Sequence, residues 1–135
     1  MEFATKIAVV VREDLAVWQK LNVTAFVAGG VASVGETVGQ PYEDADGREY
    51  LPMLRQPVFV YSASKDKIRT VYERALRRGV RLAVYTEELF ATNNDDDNRA
   101  AVRCVSAADL NLVGLAVYGD RKAVDKVVDG LKFHE

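Results

Sequence analysis

The sequence predicts an α/β fold, a three-layer α/β/α sandwich with a four-stranded mixed sheet, in a single domain spanning 1–135. Three observations carry this. Four short apolar runs, Ile7-Ala-Val-Val-Val11, Val58-Phe-Val-Tyr61, Val80-Arg-Leu-Ala-Val-Tyr85 and Leu112-Val-Gly-Leu-Ala-Val-Tyr118, are nearly continuous. That is how strands read when both faces of their sheet are covered. The segments between them carry apolar residues at helical spacing, so helices are available to do the covering. A length of 135 residues, with 49% hydrophobic and 28% charged, suits one compact core.

In chain order, the first strand covers about 5–11 and the first helix runs from Leu15 to about Ser33. The second half of that helix is apolar nearly all round and rich in Ala and Gly, as in a helix pressed against a sheet. Gly29 and Gly30 are expected to permit the close approach. The stretch Val34 to Pro57 is punctuated by Gly and Pro and reads as a long loop, of a length that is usually functional or partly structured. Within it, Asp44-Ala-Asp46-Gly47 reads as an acidic turn. In a calcium-loop frame the end ligands would fall on Tyr42 and Met53, which cannot serve.

The second strand is expected near 57–62. Ser64 is the cap of the next helix, over 65–78, whose face is Ile68, Val71, Tyr72, Ala75 and Leu76. Arg77-Arg78-Gly79 is its cationic end and stop. A third strand follows near 80–85. Asp95-Asp96-Asp97-Asn98 reads as a solvated turn capping a further helix, from Asp97 to Ala108. The fourth strand covers 112–118. The last helix carries Val124, Val127, Val128 and Leu131 between a cap at Asp120 and a stop at Gly130.

Composition excludes several function classes. Eighteen basic residues against 20 acidic ones give a net charge of −2, with no footprint of a nucleic-acid or membrane-surface binder. The charge is nonetheless polarised. Residues 65–81 hold seven basic side chains against two acidic, whereas 86–98 hold five acidic and no basic ones. The single Cys104 excludes an internal disulfide and suits a reducing, cytoplasmic compartment. One Cys and one His cannot build a Cys/His zinc site, and His134 leaves a histidine-dependent triad only the penultimate residue. No metal, cofactor or signal peptide is expected. The longest weakly polar stretch, Val23 to Val34, is too short to cross a bilayer. The glycines at 29, 30, 35 and 39 are not a phosphate loop, because no Gly-Lys-Ser/Thr follows.

Chemistry is expected where strands end, because open α/β sheets bind ligands outside the carboxyl ends of their strands. Arg12-Glu13-Asp14 leaves the first strand there, and Tyr85-Thr86-Glu87-Glu88 the third. Lys20 and Thr24 are four apart and share a helix face. The candidate catalytic residues are Lys20, Thr24, Thr86 and Glu87. Arg12, Asp14 and Tyr85 are the candidate ligand-binding residues.

Two resemblances follow from longer stretches. Lys67-Ile-Arg-Thr-Val-Tyr-Glu-Arg-Ala-Leu-Arg-Arg-Gly-Val-Arg-Leu-Ala-Val84, residues 113–132 and Lys6-Ile-Ala-Val-Val-Val-Arg-Glu-Asp-Leu15 resemble elements of type II peptidyl-tRNA hydrolases. This resemblance implies that fold, a pocket at the strand ends, a third strand parallel to the first and a tendency to dimerise. The hydrolases' lysine falls on Lys20, but their glutamine falls on Thr24 and their histidine on Val27. Their Asp-Ala-Gly-Arg-Thr-Gln segment is replaced by Thr86-Glu-Glu-Leu-Phe-Ala91. Peptidyl-tRNA hydrolysis is therefore not expected. Residues 12–22, 50–57 and 85–92 are similar to an uncharacterised bacterial family, number two thousand among the domains of unknown function, which shares that fold.

The leading expectation is a small protein binding a small, anionic ligand in the strand-end cleft, through Lys20 and Arg12. The alternative is a hydrolase of an ester or amide, with Lys20 stabilising an oxyanion and Glu87 acting as base. A homodimer is expected from the apolar loop residues Tyr50, Leu51, Met53, Leu54 and Val58. Nucleic acid and membrane partners are not expected.

Overall fold

In a computed structural model, which describes residues 2–135, the chain forms a five-stranded mixed sheet and four α-helices. Strand β1 (Thr5–Arg12) leads to helix α1 (Val17–Ala32). A short hairpin, β2 (Tyr42–Glu43) and β3 (Glu49–Tyr50), lies in the long loop. Then come β4 (Val58–Ala63), α2 (Lys65–Arg78), β5 (Arg81–Thr86) and α3 (Asp95–Arg103). The chain closes with β6 (Leu112–Asp120), α4 (Arg121–Val127) and β7 (Lys132–Phe133).

The sheet order is β5-β6-β1-β4-β7. β1 is central, parallel to β4 and antiparallel to β6. β5 is also antiparallel to β6, so it runs with β1, as the resemblance implies. The carboxyl ends of β1, β4 and β5 therefore share one edge.

Alternation along β1 builds two cores. Ile7, Val9 and Val11 pack with Val23, Val27 and Val31 of α1. Ala8 and Val10 pack with Ile68, Val71, Tyr72 and Ala75 of α2 and with Val124 and Val127 of α4. Burial of each valine or isoleucine here is worth about 1.5–3 kcal/mol, which is why the continuous apolar runs end up covered on both faces. Two glycines set the depth of α1. A Cβ on Gly114 would lie 2.1 Å from Val23 Cγ1, and one on Gly30 would lie 2.8 Å from Ala83 Cβ.

Local chemistry fixes the ends of α2. Ser64 accepts from the Lys67 N–H at 3.2 Å, and Gly79 adopts φ +64 to stop the helix. The acidic turn forms as expected. Asp44 Oδ1 accepts from the Asp46 and Arg48 N–H groups, which closes the β2–β3 hairpin.

The structure corrects several expectations. The sheet has five strands rather than four, because Lys132–Phe133 pairs antiparallel with β4. His134 continues the contact by donating its N–H to the Val60 carbonyl at 2.9 Å. Gly29 faces open space, so of the two adjacent glycines only Gly30 serves helix–sheet contact. α3 begins earlier than expected, capped by Asn94, which accepts from the Asp97 N–H at 2.8 Å. It ends at Arg103, and Ala107–Asp109 forms a separate 3-10 turn. Asp120 makes no side-chain cap, and α4 stops at Val127. Among the described residues, no helix is long and apolar enough to cross a membrane.

Candidate functional site

The predicted site residues reach the expected edge but separate into different groups, because side chains alternate along a strand. Arg12 is in step with Ala8 and Val10, on the α2 side. Its Nε donates to Asp14 Oδ1 at 2.7 Å, and its Nη2 donates to Asp14 Oδ2 at 3.1 Å. Its Nη1 donates to Asn111 Oδ1 at 3.4 Å, and Asn111 Nδ2 donates to Glu87 Oε2. Arg12, Asp14 and Glu87 thus belong to one chain of hydrogen bonds, joined by a residue the sequence reading did not single out. The Arg12 hydrogen bond holds the Asp14 carboxyl below the ordinary carboxylate range, and the charge of Lys20 adds to this. Lys20 is therefore near Asp14. It is half-buried and forms no ion pair among the described residues. Thr24 spends its proton on its own helix, donating to the Lys20 carbonyl at 2.8 Å. Thr86 is buried and makes the last pair of the β5–β6 ladder, with Leu112, just past a register shift.

Tyr85 lies elsewhere. Ala83 and Tyr85 pack on the α1 side of β5, whereas Leu82 and Val84 pack towards α2. Residues two apart on a helix are about 200° apart around its axis. Lys20 and Thr24 accordingly occupy one flank of α1, while Trp18, Asn22 and Phe26 occupy the other, above Tyr85. Asn22 Nδ2 donates to Tyr85 Oη at 3.2 Å. Phe26 meets Tyr85 edge to face, with centroids 5.7 Å apart at 72°. Phe90, from the 3-10 turn Glu87–Ala91, lies 5.1 Å from Tyr85 at 50° and 5.8 Å from Trp18 at 69°.

These rings line a cavity of about 350 Å³. Leu89 and the polar residues Thr92, Asn93, Asn94, Asp95 and Asn98 complete its wall. Asp95 is the one charged side chain in that wall, and no basic side chain is present. The asparagine-rich rim has a local cause. Asn94 caps α3, and Thr92 donates its hydroxyl proton to Asn98 Oδ1, which ties the turn to the helix. Burial pushes the Tyr85 phenol up from 10.0, against the smaller opposing effect of the Asn22 hydrogen bond, so it stays neutral at physiological pH. An adjoining cavity of about 510 Å³ shares Phe26, Tyr85, Leu89, Asp95 and Asn98 and extends beside β5 to Arg99 and Arg103.

A further cavity, about 720 Å³, lies between α2 and α4 and is lined by charged side chains. Its charges already hold the fold. Arg74 donates to the Asp129 carbonyl at 2.9 Å, and Asp125 pairs with Lys6 at 2.7 Å.

The structure therefore brings Tyr85 into a cavity without Lys20, Thr24, Arg12 or Asp14. Lys20 and Glu87 both lie beside the Arg12–Asp14–Asn111 chain, apart from the aromatic cavity. Trp18, Asn22, Phe26, Phe90 and Asn98 were not foreseen as site residues. The available signal was the four-residue spacing of Trp18, Asn22 and Phe26, which puts two aromatics and an amide on one helix flank.

Comparison with known proteins gives three findings. A family model described as a protein of unknown function, DUF2000, matches residues 5–135. The solved structure of a protein of unknown function from Agrobacterium tumefaciens strain C58 is similar, with 44% sequence identity and a TM-score of 0.93, covering 99% of this chain and 100% of that one. No curated protein matches the chain.

Proposed function

We propose that this chain, which belongs to the DUF2000 family of proteins of unknown function, binds a small organic molecule between α1 and the β5 exit. One observation carries the reading. A concave surface of about 350 Å³ is walled by Trp18, Phe26, Tyr85 and Phe90 and rimmed by amide side chains. An apolar body with a few oriented polar groups is the usual form of a small-ligand site, and its volume is within the usual range. The cleft at the strand ends is thereby narrowed to the α1–β5 side. The ligand it suits is not an anion, because Lys20 and Arg12 lie outside this wall.

Hydrolysis is no part of the proposal. Tyr85 is neutral, the amides are neither acids nor bases, and Lys20 lies on the other flank of α1. A type II peptidyl-tRNA hydrolase-like topology stays part of the reading, supported by the resemblance of residues 67–84 and 113–132 and by the common direction of β1 and β5. The unpaired, exposed thiol of Cys104 supports a reducing, cytoplasmic setting.

Trp18 is the only tryptophan and is 62% exposed at the cavity mouth, so its emission reports on occupancy. Titration of the purified chain with a library of small organic molecules should give saturable changes in Trp18 emission, absent for small anions. A library without a single saturable response, confirmed by calorimetry, would overturn the reading.

A further inference from the structure

The geometry points to an organic cation with a methylated ammonium head as the ligand class. This inference rests on the proposed site and narrows it. The first argument is the shape of the wall. A flat heterocycle is best held between parallel ring faces in offset stacks. Here the rings are steeply inclined, Trp18 to Phe90 at 69°, Phe90 to Tyr85 at 50° and Tyr85 to Phe26 at 72°. At these distances the rings touch one another and form an uneven aromatic surface with no parallel slot for a slab, against which a rounded group seats better. A trimethylammonium head is such a group, and aromatic cages are the recurring solution for it because ring faces carry negative potential.

The second argument is charge. The wall holds one carboxylate, Asp95, and no basic side chain. Asp95 opens α3, whose first turn also carries Asp96 and Asp97, against Arg99 and Arg103 further along the same helix. Arg99 pairs with both Asp95 and Asp96, which offsets part of this charge and leaves an excess of negative groups. Such a field favours a cation and opposes an anion. The third argument is polar anchoring. Asn22 uses its amide donor on Tyr85, which leaves its carbonyl oxygen to accept from a hydroxyl or N–H on the ligand's tail.

The probes are choline, its neutral isostere 3,3-dimethyl-1-butanol and the flat neutral heterocycle indole, titrated into the full chain by calorimetry. Choline is expected to bind about tenfold or more tightly than the neutral isostere, the size of a desolvated cation–π contribution. Phe90→Leu keeps apolar volume but removes a ring face, and should bring the two closer to equal. Trp18→Leu alters an exposed residue, so it keeps the test open if Phe90→Leu fails to fold. Equal binding of choline and the isostere, or binding of indole alone, overturns the cation inference and leaves the small-molecule site standing. Failure of all three probes, when other library molecules bind, overturns the cation inference alone. Failure of every molecule removes the site as well.

Discussion

Gly30→Ala tests the packing that places the site. An added Cβ would lie 2.8 Å from Ala83 Cβ. That atom is the first of its side chain and cannot rotate away, so α1 or β5 has to move. Overpacking of this kind costs about 1–3 kcal/mol. Replacing a helical glycine with alanine also gains about 0.5–1 kcal/mol from backbone entropy. Gly29→Ala isolates that gain, because its Cβ would meet nothing within 4 Å. The difference between the two variants is therefore the overpacking cost itself. For a chain of this length it corresponds to about 3–12 °C in melting temperature. Gly29→Ala should melt slightly above the parent, and Gly30→Ala clearly below Gly29→Ala, by scanning calorimetry. Equal melting temperatures for the two variants would refute the close approach of α1 to β5. A shifted α1 should also carry Asn22 and Phe26 off Tyr85, so ligand affinity should fall with Gly30→Ala and hold with Gly29→Ala.

The Lys6–Asp125 pair should be visible at alkaline pH. Burial alone would lower the Lys6 pKa, but its hydrogen bonds to Asp125 and Tyr61 raise it above 10.5. Its contribution is complete below that value and is lost as pH rises through the folded-state value. Thermal melts from pH 9 to 12 should show a limb that Asp125→Asn flattens, and an unchanged limb would contradict the pairing. Asp14 has the opposite sign. Its depressed pKa stabilises the fold above 3.8, and that contribution is lost as pH falls through the folded-state value. Arg12→Met should bring the Asp14 carboxyl back towards 3.8 in an NMR titration, and an unmoved titration would separate the two residues. Light scattering should report a homodimer, since Tyr50, Leu51 and Met53 of the hairpin arm are all more than half exposed; a monomer at high micromolar concentration would contradict it. Incubation with peptidyl-tRNA should release no peptide, and turnover comparable to an authentic type II hydrolase would overturn the site assignment.

The main strands and helices were legible because strong periods mark them. Four continuous apolar runs became β1, β4, β5 and β6, and α2 kept its boundaries because Ser64 and Gly79 mark both ends. β7 was not legible, since two residues carry no period, and its pairing depends on where the chain returns along β4. Nor was the hairpin arm, which two short strands build around an Asp44 turn. The site was legible only in its location. Tyr85 was singled out by its place at the end of a strand. Lys20 and Arg12 drew attention by their charge, yet Arg12 leaves on the other side of the sheet and Lys20 on the other flank of α1. A one-residue step along a strand or a two-residue step along a helix reverses the face, and charge in a sequence does not reveal that. Aromatic side chains read first as core, so Trp18, Phe26 and Phe90 became visible as a wall only once Trp18 and Phe26 proved more than half exposed.

Ligand seating between α1 and the β5 exit can be mapped from backbone and side-chain amide shifts by NMR as choline is added to the labelled chain. Choline should shift the Trp18 indole N–H, the Asn22 and Asn98 side-chain amides and the Tyr85 and Phe90 backbone, with Lys20, Arg12 and the α2–α4 groove unmoved. Shifts centred on Lys20 and Arg12, or spread over Arg74, Arg77 and Arg78, would contradict that seating.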